Sequence, residues 1–99
     1  MFAHSVYFWL KKNLTADQRN QYLAGVRSLT KIPSVRQSFI GTPAATDRPI
    51  IDRSYSYALV VMFDDEAGHD SYQVHPIHDQ FRQECGNFWE KVVIYDAVG

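Results

Sequence analysis

The chain has 99 residues, 45% of them hydrophobic, 14% aromatic and 21% charged, enough for one core and not for two. Ten basic against eleven acidic residues leave a net charge of -1. That balance argues against a nucleic-acid binder, which would show a basic excess on one face, and against an anionic membrane surface as partner. A single cysteine, Cys85, excludes an internal disulfide and any multi-cysteine metal centre, and fits a reducing, cytoplasmic setting. The expected organisation is a single domain over residues 1–99.

The chain opens on an alternating run, with His4, Val6, Phe8 and Leu10 on one face and Ser5, Tyr7 and Trp9 on the other. Both faces are largely apolar, as in a strand covered on both sides. The run is too short to span a bilayer and lacks the basic leader and cleavage site of a secretory signal. Thr15-Ala16-Asp17-Gln18 reads as a capping box, and a helix follows with Tyr22, Val26 and Leu29 on one stripe. Pro33 lies at or just past its end. Gly25 inside it costs about 1 kcal/mol against alanine and permits close packing.

Val35 to Ile40 is the next expected strand. The stretch 41–53 is a long loop with two prolines, Pro43 and Pro49. Ser54 to Phe63 is the clearest strand, with Tyr55, Tyr57, Leu59, Val61 and Phe63 pointing one way. Asp64 or Asp65 can cap a helix through Gln73. His75-Pro76 interrupts that helix and starts another, running to about Glu84. Trp89 to Asp96 closes the chain as a strand. The order β-α-β-β-α-β is that of an α+β, ferredoxin-like sheet with helices on one face. Its other face is apolar and aromatic, and the simplest cover is a second copy, giving a homodimer whose sheets close toward a barrel.

Three of the four histidines lie where a site could form. His78 falls in the first turn of a short helix, where the positive dipole end favours the neutral imidazole that a general base needs. Tyr72, one turn before the break, can donate to a developing enolate or alkoxide oxygen; its alternative is a buried, hydrogen-bonded core tyrosine. His75 beside Pro76 either faces a ligand or orients the helix break through a backbone hydrogen bond. His4, on an apolar strand face, is a pocket residue or a satisfied core histidine. His69, among Glu66, Gly68 and Asp70, reads as a solvated helix residue. The His75-x-x-His78 spacing is a poor zinc pair, since proline separates the two and a helical pair wants i, i+4. No metal and no cofactor is expected from the side chains. Cys85 has no activating neighbour.

Several segments together resemble one family. They are His4 to Lys11, Ile32-Pro33-Ser34-Val35, Gly41-Thr42-Pro43, Ser54-Tyr55-Ser56-Tyr57, Tyr72-Gln73-Val74-His75-Pro76-Ile77-His78 and Trp89 to Asp96. In order and over nearly the whole length, they are similar to the stress-responsive dimeric α/β-barrel (Dabb) family. The resemblance implies ferredoxin-like protomers paired through their sheets. That family includes plant stress-induced proteins, bacterial proteins without an assigned reaction, and a plant polyketide cyclase that performs an intramolecular aldol condensation. By resemblance, Tyr72 and His78 match the catalytic pair and His4 a pocket residue. A third-strand pocket histidine is Tyr57 here, and a first-helix pocket tyrosine falls near Gly25. Some plant members bind metal through backbone carbonyls in a stretch matching Val26 to Val35.

The expected site is therefore a pocket lined by His4, Phe8, Tyr57, Tyr72, His75, His78 and Phe81. It would take a small apolar or aromatic carbonyl or acid, with His78 as base and Tyr72 as oxyanion donor in cofactor-free proton abstraction. The rival reading is a non-catalytic stress or ligand-binding protein, and a third is a cofactor-independent monooxygenase. A void of order 300 Å³ beside Tyr72 and His78 would favour a ligand site.

Overall fold

The alternation at the start of the chain becomes β1 (Phe2–Leu10), with Phe2, His4, Val6, Phe8 and Leu10 all buried and the residues between them half-buried. In the computed structural model, which describes residues 1–99, β1 lies inside a four-stranded antiparallel sheet. On one side it pairs with β3 (Tyr57–Phe63) and on the other with β4 (Trp89–Val98); β2 (Gln37–Gly41) extends the sheet beyond β3. The order β2-β3-β1-β4, with α1 (Ala16–Leu29), α2 (Glu66–Gln73) and α3 (Pro76–Cys85), is the ferredoxin-like arrangement. No helix is long and apolar enough to cross a membrane.

Each helix starts where its cap chemistry dictates. The Thr15 hydroxyl accepts from the Gln18 amide at 3.1 Å while the Gln18 side chain accepts from the Thr15 amide at 2.9 Å. The Asp65 carboxylate accepts from the Gly68 amide at 3.0 Å and opens α2. Pro76 takes the first position of α3, where its missing N–H costs nothing. The buried stripe of α1 (Tyr22, Val26, Leu29) meets Phe81 and Cys85 of α3 and the inward residues of β1 and β3 in one core cluster.

Two strands begin later than the alternation suggests. Val35 is held in a turn, its amide bonding the Ile32 carbonyl, so β2 starts at Gln37. Before β3, Asp52 accepts from the Ser54 amide and hydroxyl at 2.8 and 2.6 Å, and the Ser56 hydroxyl accepts from the Leu10 amide at 2.9 Å. Side-chain bonds thus shape residues 54–56, where the Ser56 amide alone still pairs with β1 through the Phe8 carbonyl at 2.7 Å, and the parity changes. Tyr57 packs toward α1, but Tyr55 lies against Tyr7 and Trp9 on the opposite sheet face. β4 runs two residues past the expected Asp96.

That opposite face carries Tyr7, Trp9, Phe39, Val93 and Tyr95, with Phe39 61% and Tyr95 66% exposed. An open hollow of about 360 Å³ lies there, bounded by Tyr7, Trp9, Tyr55 and Tyr95 and by Lys91 above the Trp9 ring.

The contact between α1 and α3 is set by Gly25. A Cβ at this position would sit 2.7 Å from Cys85 Sγ and 3.0 Å from Phe81 Cδ1, and both side chains are buried. Gly25→Ala gains about 1 kcal/mol of helix propensity but overpacks the interface by roughly 1–3 kcal/mol. The expected outcome is a net loss, read as a lower urea midpoint. In a Cys85→Ala background the same change should become neutral or stabilising.

Candidate functional site

The break between α2 and α3 builds the site. His75 caps α3, its Nδ1 accepting from the Ile77 amide at 3.1 Å, while the His75 amide bonds back to the Tyr72 carbonyl at 3.2 Å. This corner sets Tyr72, at the end of α2, against His78, in the first turn of α3. Their rings meet edge to face, 4.9 Å apart at 83°. Below them β1 presents His4, whose ring lies 5.7 Å from that of Tyr72. The three side chains share the wall of a cavity of about 140 Å³ with Phe8, Phe81 and Trp89, and its mouth reaches Val92 and Ile94 of β4. Those two remain 39% and 51% exposed because the helices leave this edge of the sheet open. The volume falls short of about 300 Å³ and suits a single aromatic ring or a short chain.

Burial sets the protonation states. His78 is held down to about 4, first by burial and then by the Arg82 charge, so its imidazole is neutral at neutral pH. Its Nδ1 is buried without a hydrogen-bond partner. The Tyr72 phenol is pushed up by burial and stays protonated, hence a donor. His4 is 3% exposed; burial lowers it, although the Asp96 carboxylate pulls the other way. Its Nδ1 donates to Asp96 Oδ1 at 2.5 Å, which fixes the tautomer and leaves Nε2 as acceptor. A neutral imidazole oriented by a carboxylate, a second neutral imidazole and a buried phenol in one apolar wall can together move a proton and stabilise a developing oxyanion.

Of the expected site residues, the structure brings together His4, Phe8, Tyr72, His78 and Phe81. Two lie elsewhere. His75 is spent on capping α3, because the chain must leave α2 and restart at Pro76. Tyr57 is outside the cavity wall: its ring is 5.5 Å from that of Tyr22, which also packs 5.4 Å from Phe8. His69 is not the solvated residue expected. It stacks on Phe2 at 4.5 Å and lies 4.8 Å from the His4 ring, with its side chain 14% exposed.

Asp96, Gln73, Arg82 and Trp89 belong to the site without having been singled out. Asp96 was the most accessible, since it continues the Val92, Ile94 parity onto the inward face, where a carboxylate needs a partner. His4, His69 and Asp96 each offer one metal-ligand atom within 4.8 Å of the others. Their hydrogen bonds are already committed: His4 Nδ1 gives its proton to Asp96, and His69 Nε2 meets the Gln73 amide nitrogen at 3.0 Å. Cys85 is buried and its thiol pushed up by that burial, so it is no nucleophile.

Three similarities to known proteins can be set beside this geometry. The chain is 23% identical over 94 residues to an olivetolic acid cyclase of Cannabis sativa, covering 94% of this chain and 91% of that one. A dimeric ferredoxin-like protein of unknown function from Thermobifida fusca superposes with a TM-score of 0.77 at 24% identity, covering 97% and 88% of the two chains. A hydroxynitrile lyase from Passiflora edulis superposes with a TM-score of 0.78 at 23% identity, covering 97% and 90%. The family model for the stress responsive A/B barrel domain, Dabb, matches residues 2–98, and with nearly the whole length matched the chain belongs to that family.

Proposed function

We propose that the cavity binds a small, largely apolar carbonyl compound and that His78 removes a proton beside its carbonyl while Tyr72 donates to the developing enolate oxygen. The observation that carries this reading is the edge-to-face pairing of a neutral imidazole and a protonated phenol in the wall of an apolar cavity. An apolar wall strengthens both interactions by excluding water. His4, held by Asp96, is a second acceptor in the same wall. Relatives of this fold that carry out cyclase and lyase chemistry support it.

One observation favours a second reading, ligand binding without turnover. An imidazole held near 4 is always unprotonated at neutral pH but is a weak base. Proton exchange separates the two. In D₂O the protein should accelerate deuterium incorporation at the α-carbon of phenylacetone, followed by proton NMR. His78→Ala and Tyr72→Phe should each lose about 10²-fold or more of that acceleration. Exchange at the buffer rate, with phenylacetone still bound, would leave binding without turnover.

The same groups predict a pH response of stability. The unfolded chain takes up a proton on His78 near 6.5, the folded chain only near 4. Stability present above 6.5 is therefore lost as the pH falls toward 4, by up to about 3 kcal/mol from this group. His4, also lowered, adds to it with the same sign. Urea midpoints measured across this range should show the decline, and His78→Leu should reduce it to the part that His4 contributes.

The partner in this reading is a second copy, docked through the aromatic sheet face. Support comes from the size of that face and from the dimeric Thermobifida protein. Sedimentation equilibrium should return twice the chain mass, and Tyr95→Glu or Val93→Glu should return the monomer. A wild-type monomer at high micromolar concentration would remove this part of the proposal.

A further inference from the structure

Beyond His4, Tyr72 and His78, the cavity wall is apolar except at one end, where Gln73, the last residue of α2, and Arg82, in the last turn of α3, approach each other. Arg82 is the one permanently charged side chain in that wall. Its Nη2 donates to Gln73 Oε1 at 3.0 Å, and Gln73 Nε2 lies 3.0 Å from His69 Nε2. The second contact has a single consistent sense. With Gln73 Oε1 taken by the guanidinium, its amide donates and His69 Nε2 accepts. A long, flexible side chain is thereby tethered through Gln73 to a histidine stacked on β1.

The charge is only loosely paired. The nearest carboxylate, Asp79, is 3.7 Å from Nη1, too far for a hydrogen bond. Both side chains are more than half exposed, and an exposed pair of this kind contributes about 0–1 kcal/mol. Of the five N–H groups of a guanidinium, Gln73 engages one. The positive field nevertheless reaches inward: it adds to burial in lowering His78 and works against burial, the larger effect, at Tyr72.

We propose that the ligand of this cavity is a small carboxylate, its ring or alkyl end seated against Phe8, Phe81 and Trp89 and its carboxylate on the guanidinium of Arg82. The assignment rests on the reading of the cavity as a ligand site and adds the ligand's charge class to it. About 140 Å³ accommodates one aromatic ring and little more, so the carboxylate of an aryl or short-chain acid would extend toward solvent, and the half-exposed Arg82 lines the wall within reach of it. The fork of the guanidinium matches a carboxylate in two parallel hydrogen bonds. An anion there would also offset the Arg82 charge that holds His78 down, making that imidazole a stronger base only when ligand is bound.

The test uses benzoate and its neutral isostere benzamide as probes, titrated into the full-length protein near neutral pH and followed by amide NMR shifts. The wild type should bind benzoate about tenfold more tightly than benzamide. Arg82→Gln should abolish the preference, and Arg82→Lys should keep part of it. Arg82 is an exposed residue, and unchanged amide shifts away from α3 would show that the variants fold. A preference that survives in Arg82→Gln, or no preference in the wild type while benzamide binds, overturns the carboxylate assignment and leaves the cavity a ligand site. Binding of neither probe to the wild type overturns both.

Discussion

A shift of one residue in the pairing of β1 would turn His4, Val6 and Phe8 out from under the helices and bring Tyr7 and Trp9 beneath them. Every feature of the site depends on that shift not occurring. Two things prevent it. Burying side chains such as Phe2, Val6, Phe8 and Leu10 stabilises this register by about 1.5–3 kcal/mol each relative to exposure. The strand is also held from both sides, by β3 and by β4, so a slip would break two ladders at once. The register that places Phe8 opposite Val92 also places His4 opposite Asp96. The imidazole–carboxylate pair is thus a consequence of the same pairing that packs the core.

The cost of that arrangement falls on the histidines. An imidazole buried in apolar surroundings loses more as the cation than as the neutral ring, so both His4 and His78 are lowered. The two differ in compensation. His4 has a carboxylate beside it, whereas His78 has an arginine, which adds to the effect of burial instead of opposing it. The site therefore holds two neutral imidazoles, their rings 5.7 and 4.9 Å from that of one phenol, which burial keeps protonated. Environments that push titratable groups apart in this way let a small site hold acceptors and a donor together at one pH.

Much of this was legible in the residues. Alternation in β1, the capping box at Thr15, the helix break at Pro76 and the strand–helix order all rest on local patterns, and local patterns survive folding. Tyr55 and Tyr57 show where they fail. Period two assigns them one face, but Asp52, Ser54 and Ser56 divert the backbone with side-chain hydrogen bonds whose partners, such as the Leu10 amide, are distant in sequence. His69 fails for a related reason. Its neighbours in the chain are polar, yet the turn of α2 on which it sits faces Phe2 and Phe63. Asp96 and Arg82 required the register of β4 and the approach of α3 to α2, which no local pattern contains.

The Tyr72-to-His78 block shows how chemistry and architecture divide a short motif. Its two histidines are three residues apart and look equivalent, but one is committed before any ligand arrives. The Ile77 amide must find an acceptor where α3 begins, and the His75 imidazole supplies it. Proline at the next position fixes the backbone so that this cap forms, and the corner it creates turns Tyr72 and His78 toward the same space. A substitution at His75 would therefore act on the site through the direction of α3, and one at His78 would act on it directly. Two short helices meeting at a corner do what one continuous helix could not. Residues six apart on an unbroken helix lie about 120° from facing the same way, and Tyr72 and His78 would then look in different directions.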